Sequence, residues 1–321
     1  YGELNHEMAT NRKKIAIVVA PGLASFLNGV RHELARDYIV QTAMVSDIEH
    51  AKKYIEWADL VWYEFGNELA IAGTNKYPNK QTVVRVHGYE VIDGLINKIN
   101  HNSVSQYIFV ADHVRNMLRI PEIDSKTIVI NNGVNTSAYT YAVHKPGKKI
   151  AFVGNFNTKK NPAFAIQILH ELNNVAGEDY ELHWAGDMQD ARLYAYTVHM
   201  VKSLGLQDRF FLHARVNTNA FLEDKDYFLS TSTHEGYGMS ILEAMCKGIK
   251  PVIHNFYIAD EFYPRKYLFN TAKEAAKMIT GGLYDSEEYR AFAESHDENK
   301  RQLPAISAIV NDLMQQEVKA V

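Results

Sequence analysis

The feature that most constrains this chain is an alternation, repeated twice, of short apolar runs with longer helix-like segments. Lys14–Ala20 reads KIAIVVA and stops at Pro21-Gly22. A run that is apolar at every position marks a strand covered on both faces, as in a parallel sheet. A helix-like segment, Phe26–Asp37, leads to a strand near Tyr38–Val45; the amphipathic segment Asp47–Trp57 leads to Asp59–Phe65. Gln81–His87, Tyr107–Val110 and Lys126–Asn131 complete the first half. Parallel neighbours need a crossover of about a dozen residues, which the intervening segments supply. About six such strands predict a doubly wound sheet.

The pattern then restarts. Ala142–Lys149 (AVHKPGKK) is polar, carries Pro and Gly, and reads as a linker. Strands follow at Lys149–Val153, Tyr180–Ala185, Arg209–Leu212, Tyr227–Ser230 and Pro251–His254. The length of 321 residues fits two domains at roughly 150 residues each. The expectation is an α/β chain of two Rossmann-like doubly wound domains facing each other across a cleft. Residues 1–142 would form the first, 143–300 the second, and 301–321 a C-terminal helix crossing back to the first. Ligands of such sheets sit outside the strand carboxyl ends. The polar N-terminus, Tyr1–Lys14, reads as a tag remnant, a linker or a docking segment.

Composition narrows the partners. A net charge of -4 argues against a general nucleic-acid binder, which needs a cationic surplus to neutralise phosphates. A single cysteine, Cys246, rules out a disulfide framework within the chain and fits a reducing, cytoplasmic location. No apolar stretch approaches the ~18–20 residues of a membrane span, which leaves peripheral contact open. The fourteen histidines show no ligand spacing, so no metal is expected.

The richest segment is Thr233–Gly248, THEGYGMSILEAMCKG. It follows a strand and combines a glycine turn, Glu235-Gly236-Tyr237-Gly238, with a short helix, Met239–Lys247, and a terminating Gly248. Orphan amides and the helix dipole at such a start attract an anion such as phosphate, and the glycines allow close backbone approach. Ser240, Glu243 and Lys247 share one helix face. Purely structural roles fit the same residues: Ser240-x-x-Glu243 as a capping box, Glu243 with Lys247 as an i,i+4 pair.

This segment resembles the glycosyltransferase family 4 group of GT-B enzymes, whose signature is two glutamates separated by seven residues, the spacing of Glu235 and Glu243. The resemblance extends to GLQDRFFLHARV (Gly205–Val216), FVGNFNTKKN (Phe152–Asn161) and INNGVNTSAY (Ile130–Tyr139), and in the first half to VRVHGYE (Val84–Glu90). It implies a retaining transferase that moves a sugar from a nucleoside-diphosphate sugar, UDP- or GDP-linked, to a hydroxyl acceptor that the sequence leaves unidentified. Glu235 would contact the transferred sugar and Glu243 the ribose. The amides of Gly238, Met239 and Ser240 would hold the diphosphate, with Gly236 and Tyr237 alongside. Lys160, seconded by Lys159, would neutralise the diphosphate and the leaving nucleotide without a cofactor or metal. Asn161 as N-cap and Pro162 at N1 fit a helix starting there.

His87, at a strand end before Gly88, matches the family's histidine near acceptor and donor sugar, and Gly22 the glycine-rich loop after the first strand. Glu64 and Glu68 read as exposed acids on a loop beside Trp62, Tyr63 and Phe65. One position departs from the family: Asn155 stands where an arginine is common, so Lys159 or a first-domain residue replaces that charge, or the diphosphate is held more weakly. Two rival readings follow: a sugar-nucleotide or glycan-binding module with little or no turnover, and a nucleotide-sugar epimerase.

Overall fold

The computed structural model describes residues 12–316; most of the polar N-terminus and the last five residues lie outside them. The chain divides into two compact units. One comprises the residues up to Gly133 together with those from Glu298 onward, and the other is Val134–Asp297.

In the first unit six parallel strands run β1 (Lys14–Val19), β2 (Ile39–Met44), β3 (Leu60–Glu64), β4 (Gln81–Val86), β5 (Gln106–Phe109) and β6 (Thr127–Val129). Their spatial order is β2-β1-β3-β4-β5-β6, so the winding reverses between β1 and β3. Alternate residues of the strands point to one face, where Ile15, Ile17, Val19, Leu60, Trp62, Val83 and Ile108 form a buried core. The helix Asn28–Leu34 covers that face with Val30 and Leu34. The C-terminal helix Gln302–Gln315 covers it too, through Leu303, Ile306, Val310 and Leu313, a spacing of three and four residues that lines one helical stripe.

The second unit holds β7 (Lys149–Val153), β8 (Glu181–Ala185), β9 (Phe210–His213), β10 (Tyr227–Ser230), β11 (Lys250–His254) and β12 (Leu268–Phe269). All pair in parallel in the order β12-β11-β10-β7-β8-β9, with the reversal between β7 and β10. Period-two alternation is plain: Ile150, Phe152, Tyr227 and Leu229 enter one core, and Ala151, Phe228 and Ile253 the other. The helix Pro162–His170 lies in the first core, Met239–Cys246 and Ser286–Glu294 in the second. β12, two residues long, has no apolar run to betray it.

The stretch 142–149 is no free linker. It belongs to the second unit, where the Ala142 amide donates to the Lys247 carbonyl and the His144 amide to the Ser286 hydroxyl. Among the described residues no helix is long and apolar enough to cross a membrane.

Candidate functional site

The reversal in the second sheet brings the loops after β7 and β10 together, and both carry the residues singled out from sequence. Two glycines shape the β7 end. A Cβ on Gly186 would fall 2.1 Å from the Gly154 carbonyl oxygen, which in turn accepts from Trp184 Nε1 at 2.9 Å. Beyond it, Asn157 caps a tight 3₁₀ turn, Thr158–Lys160, accepting the Lys160 amide at 3.1 Å. Asn161 occupies the N-cap position of the next helix but with φ +52° and no side-chain bond, so that helix starts without a side-chain cap; Pro162 does stand at its start.

Hydrogen bonds to its carbonyls then tie this turn to the β10 loop. The Thr231 hydroxyl donates to the carbonyls of Lys160 (2.8 Å) and Asn161 (3.0 Å), and the Thr233 amide to that of Lys159 (2.9 Å). The result is an ion pair: Lys160 Nζ lies 2.5 Å from Glu235 Oε1, and Lys159 Nζ 3.5 Å from Oε2. Ser232 donates to Oε1 at 2.6 Å. Burial alone pushes the Glu235 carboxyl upward, but Lys160, Lys159 and the bonds from Lys160 and Ser232 bring it down to about 2. It is therefore a permanent anion at neutral pH, an acceptor only.

Gly238 opens the helix Met239–Cys246 with φ +70°, and a Cβ there would come within 3.0 Å of Ile241 and of the Tyr263 hydroxyl. That hydroxyl donates to the carbonyls of Tyr237 (3.2 Å) and Gly238 (3.3 Å), fixing the turn that contains Gly236. Tyr237 is itself buried against Phe262. Met239 and Ser240 supply the first helical amides and are partly exposed. With no side-chain cap at Gly238, Ser240 and Glu243 do not form a capping box. Nor does Lys247 pair along the helix: it is buried and reaches Glu223 at 2.7 Å, Asn219 at 2.7 Å and the Thr140 carbonyl at 3.2 Å. Glu243 meets Tyr139 instead, and burial pushes its carboxyl up to about 7 against that hydrogen bond. Asn155 is exposed at the end of β7, its Oδ1 accepting from the Asp187 amide at 3.3 Å.

The first unit carries a second polar group at the carboxyl ends of its strands. His87 follows β4, with Nε2 2.5 Å from Glu64 Oε1. Glu64 is not an exposed loop acid: it ends β3 at 1% exposure. Trp62 Nε1 donates to its Oε2 at 2.8 Å, and Arg85 Nη1 stands 3.6 Å from Oε1. Burial works against ionisation, but Arg85 and His87 hold this carboxyl below its ordinary value. Glu68, by contrast, is exposed in the first turn of the helix Glu68–Lys76. The His87 ring stacks on Phe65 (centroids 4.1 Å) and lies against a tilted Phe26 (4.6 Å). Fully buried Glu90 accepts the amides of His87 (3.0 Å), Gly88 (2.7 Å) and Gly66 (3.1 Å). Sequence reading passed over Glu90 and Arg85; an acid two residues past a strand-ending glycine was the available signal. Gly22, after β1, has φ +82° with open space around it. Among the described residues no group of three or more His, Cys, Asp or Glu is disposed to hold a metal ion.

Comparison with known proteins places this geometry in context. The chain is similar, at 16% identity with a TM-score of 0.74, to the structure of Anabaena HepE in complex with UDP-glucose, over 93% of this chain and 99% of that one. A glycosyltransferase from Rickettsia africae has a TM-score of 0.70 at 15% identity, over 96% of this chain and all of its own. Likeness at that identity shows the shared fold of two Rossmann-like domains. Among curated proteins, a GDP-mannose:cellobiosyl-diphosphopolyprenol alpha-mannosyltransferase of Xanthomonas campestris is 26% identical over 141 residues, 40% of this chain and 34% of the relative. The chain thus matches about a third of that relative's length. Residues 141–297, nearly all of the second unit, match the family described as Glycosyl transferases group 1, and this match with that of the curated relative supports a glycosyl-transfer function.

Proposed function

We propose that this chain is a retaining glycosyltransferase of the family 4 type, moving a hexosyl group from a UDP- or GDP-sugar to a hydroxyl acceptor without a metal. The observation that carries the reading is the Lys160–Glu235 pair, held at the winding reversal beside the Gly238 helix start. A lysine on a flexible stem can exchange a carboxylate partner for a phosphate. Its charge and the helix amides favour the departing nucleoside diphosphate most as the glycosidic bond breaks. Glu235, ionised throughout, accepts hydroxyl hydrogen bonds from the donor sugar, and Glu243 those of the ribose. The departing phosphate takes the proton of the attacking hydroxyl on the same face. The lone buried cysteine suits a cytoplasmic setting.

Release of nucleoside diphosphate from UDP-glucose and GDP-mannose, with and without added glycan acceptors, tests the reading. Lys160→Ala is expected to lower turnover by about 10²–10³-fold while the protein stays folded. Binding without turnover in both forms would sink the transferase reading in favour of a binding module, to which the neutral Asn155 already points. Inversion at a sugar carbon other than C1 would indicate the epimerase.

A further inference from the structure

The group around His87 leaves two buried nitrogens without a hydrogen-bond partner among the described residues, Arg85 Nε and His87 Nδ1, and the second belongs to the ring. The ring's polar contact is at Nε2, where Glu64 Oε1 lies 2.5 Å away. Nδ1 is buried, with no hydrogen-bond partner among the described residues. The surroundings hold the ring hard in that pose. Phe65 adopts φ +76°, a backbone conformation costing a bulky residue about 1–3 kcal/mol, and in doing so lays its ring on the imidazole. Phe26, partly exposed, covers the ring as well, and Glu90 ties the His87 amide down. Strain and a desolvated carboxylate are together a poor way to stabilise a fold, since an apolar cluster would serve better. They are a good way to orient one ring nitrogen.

We infer that Glu64 is a positioning residue: it fixes His87 as the Nε2–H tautomer and leaves Nδ1 as a bare acceptor for a substrate hydroxyl. The carboxylate can only accept, so the proton it binds must sit on Nε2. Arg85 and Trp62 keep Glu64 from turning away. A non-reacting acceptor hydroxyl arriving at Nδ1 gives that atom its hydrogen bond and holds the acceptor in place, while the attacking hydroxyl keeps its proton for the departing phosphate. This rests on the glycosyl-transfer reading for the identity of the hydroxyl, but not for the tautomer.

Side-chain ¹⁵N NMR at pH 7.5, with the His87 signals assigned by their loss in His87→Asn, tests it without turnover. The wild type is expected to show protonated Nε2 and bare Nδ1. In Glu64→Gln, Trp62 Nε1–H retains the amide oxygen and turns the –NH₂ toward Nε2, so the proton moves to Nδ1. Turnover of UDP-glucose or GDP-mannose then falls by about a hundredfold, with the donor KM changed less than twofold. Adding Trp62→Phe frees the amide to turn its oxygen to His87, restoring the Nε2–H signal and part of kcat, which a merely structural role would not do. A wild-type ring protonated at Nδ1, or a Glu64→Gln protein with unchanged tautomer and kcat, overturns the inference. A wild type that transfers no sugar but shows the Nε2–H ring sinks the transferase reading alone.

Discussion

Both sheets end in an acid paired with a base beside their winding reversals, and the two pairs are built differently. In the first unit the acid, Glu64, sits on the strand itself, and its base is a flat ring clamped by two aromatic rings. In the second the acid, Glu235, sits on a glycine-containing loop, and its base is a lysine whose side chain is 16% exposed. A clamped ring offers one atom in one direction, and an aliphatic stem lets a charge change partners. The first arrangement suits orientation of a neutral hydroxyl, the second the holding of a mobile anion.

The sharpest way to break that contrast is to loosen the backbone that carries the clamped ring. Glu90→Ala strands three backbone amides in the interior and is expected to cost about 3 kcal/mol or more in urea unfolding. A loss below about 1 kcal/mol would mean that water takes over and that the first site is as pliant as the second.

A smaller effect, of about 2–3 kcal/mol at most, belongs to Glu243 in the second unit. Its carboxyl is raised from an ordinary 4.5 to about 7 in the folded protein. The folded state therefore binds the proton more tightly than the unfolded chain. Stability from this group is complete below pH 4.5 and declines as pH rises through 7. Glu243→Gln should flatten that decline, raising stability at pH 8 and leaving pH 5 nearly unchanged. Equal shifts at both values would remove Glu243 as the titrating group. Glu235 runs the other way: its pKa is depressed, so its contribution is complete above pH 4.5 and is lost only as pH falls toward 2.

The smallest expected change tests how much charge the second site lacks. Asn155 is exposed and held by one long bond to the Asp187 amide, so Asn155→Arg should leave the melting temperature within a few degrees. Calorimetric binding of UDP or GDP should tighten by about three- to tenfold at low salt and lose that gain at high salt. Unchanged affinity would show that Lys159 and Lys160 already saturate the phosphate's need.

Much of the second site was legible because its chemistry is contiguous. A glycine turn, an acid before it and another on the following helix fall within one short segment, and a lysine pair marks the partner loop. Glu64 was misread because its polarity was taken for exposure, and Lys247 because a partner was sought along its own helix. Glu64 and Lys247 are polar letters in apolar surroundings, and only the packing of Arg85, Trp62, Asn219 and Glu223 around them explains their burial. Asn161 was read as a side-chain cap, and only its left-handed backbone and the missing side-chain bond showed otherwise.

The amino-acid order by itself determined the strand periodicity, the two-domain α/β plan and the segment around Glu235, because hydrophobic period and glycine placement act over a few neighbouring residues. Tertiary structure alone decided that the loops after β7 and β10 meet and that Glu64 turns inward to His87. These depend on strand order and on contacts between residues far apart in the chain, whose energies have no local signature.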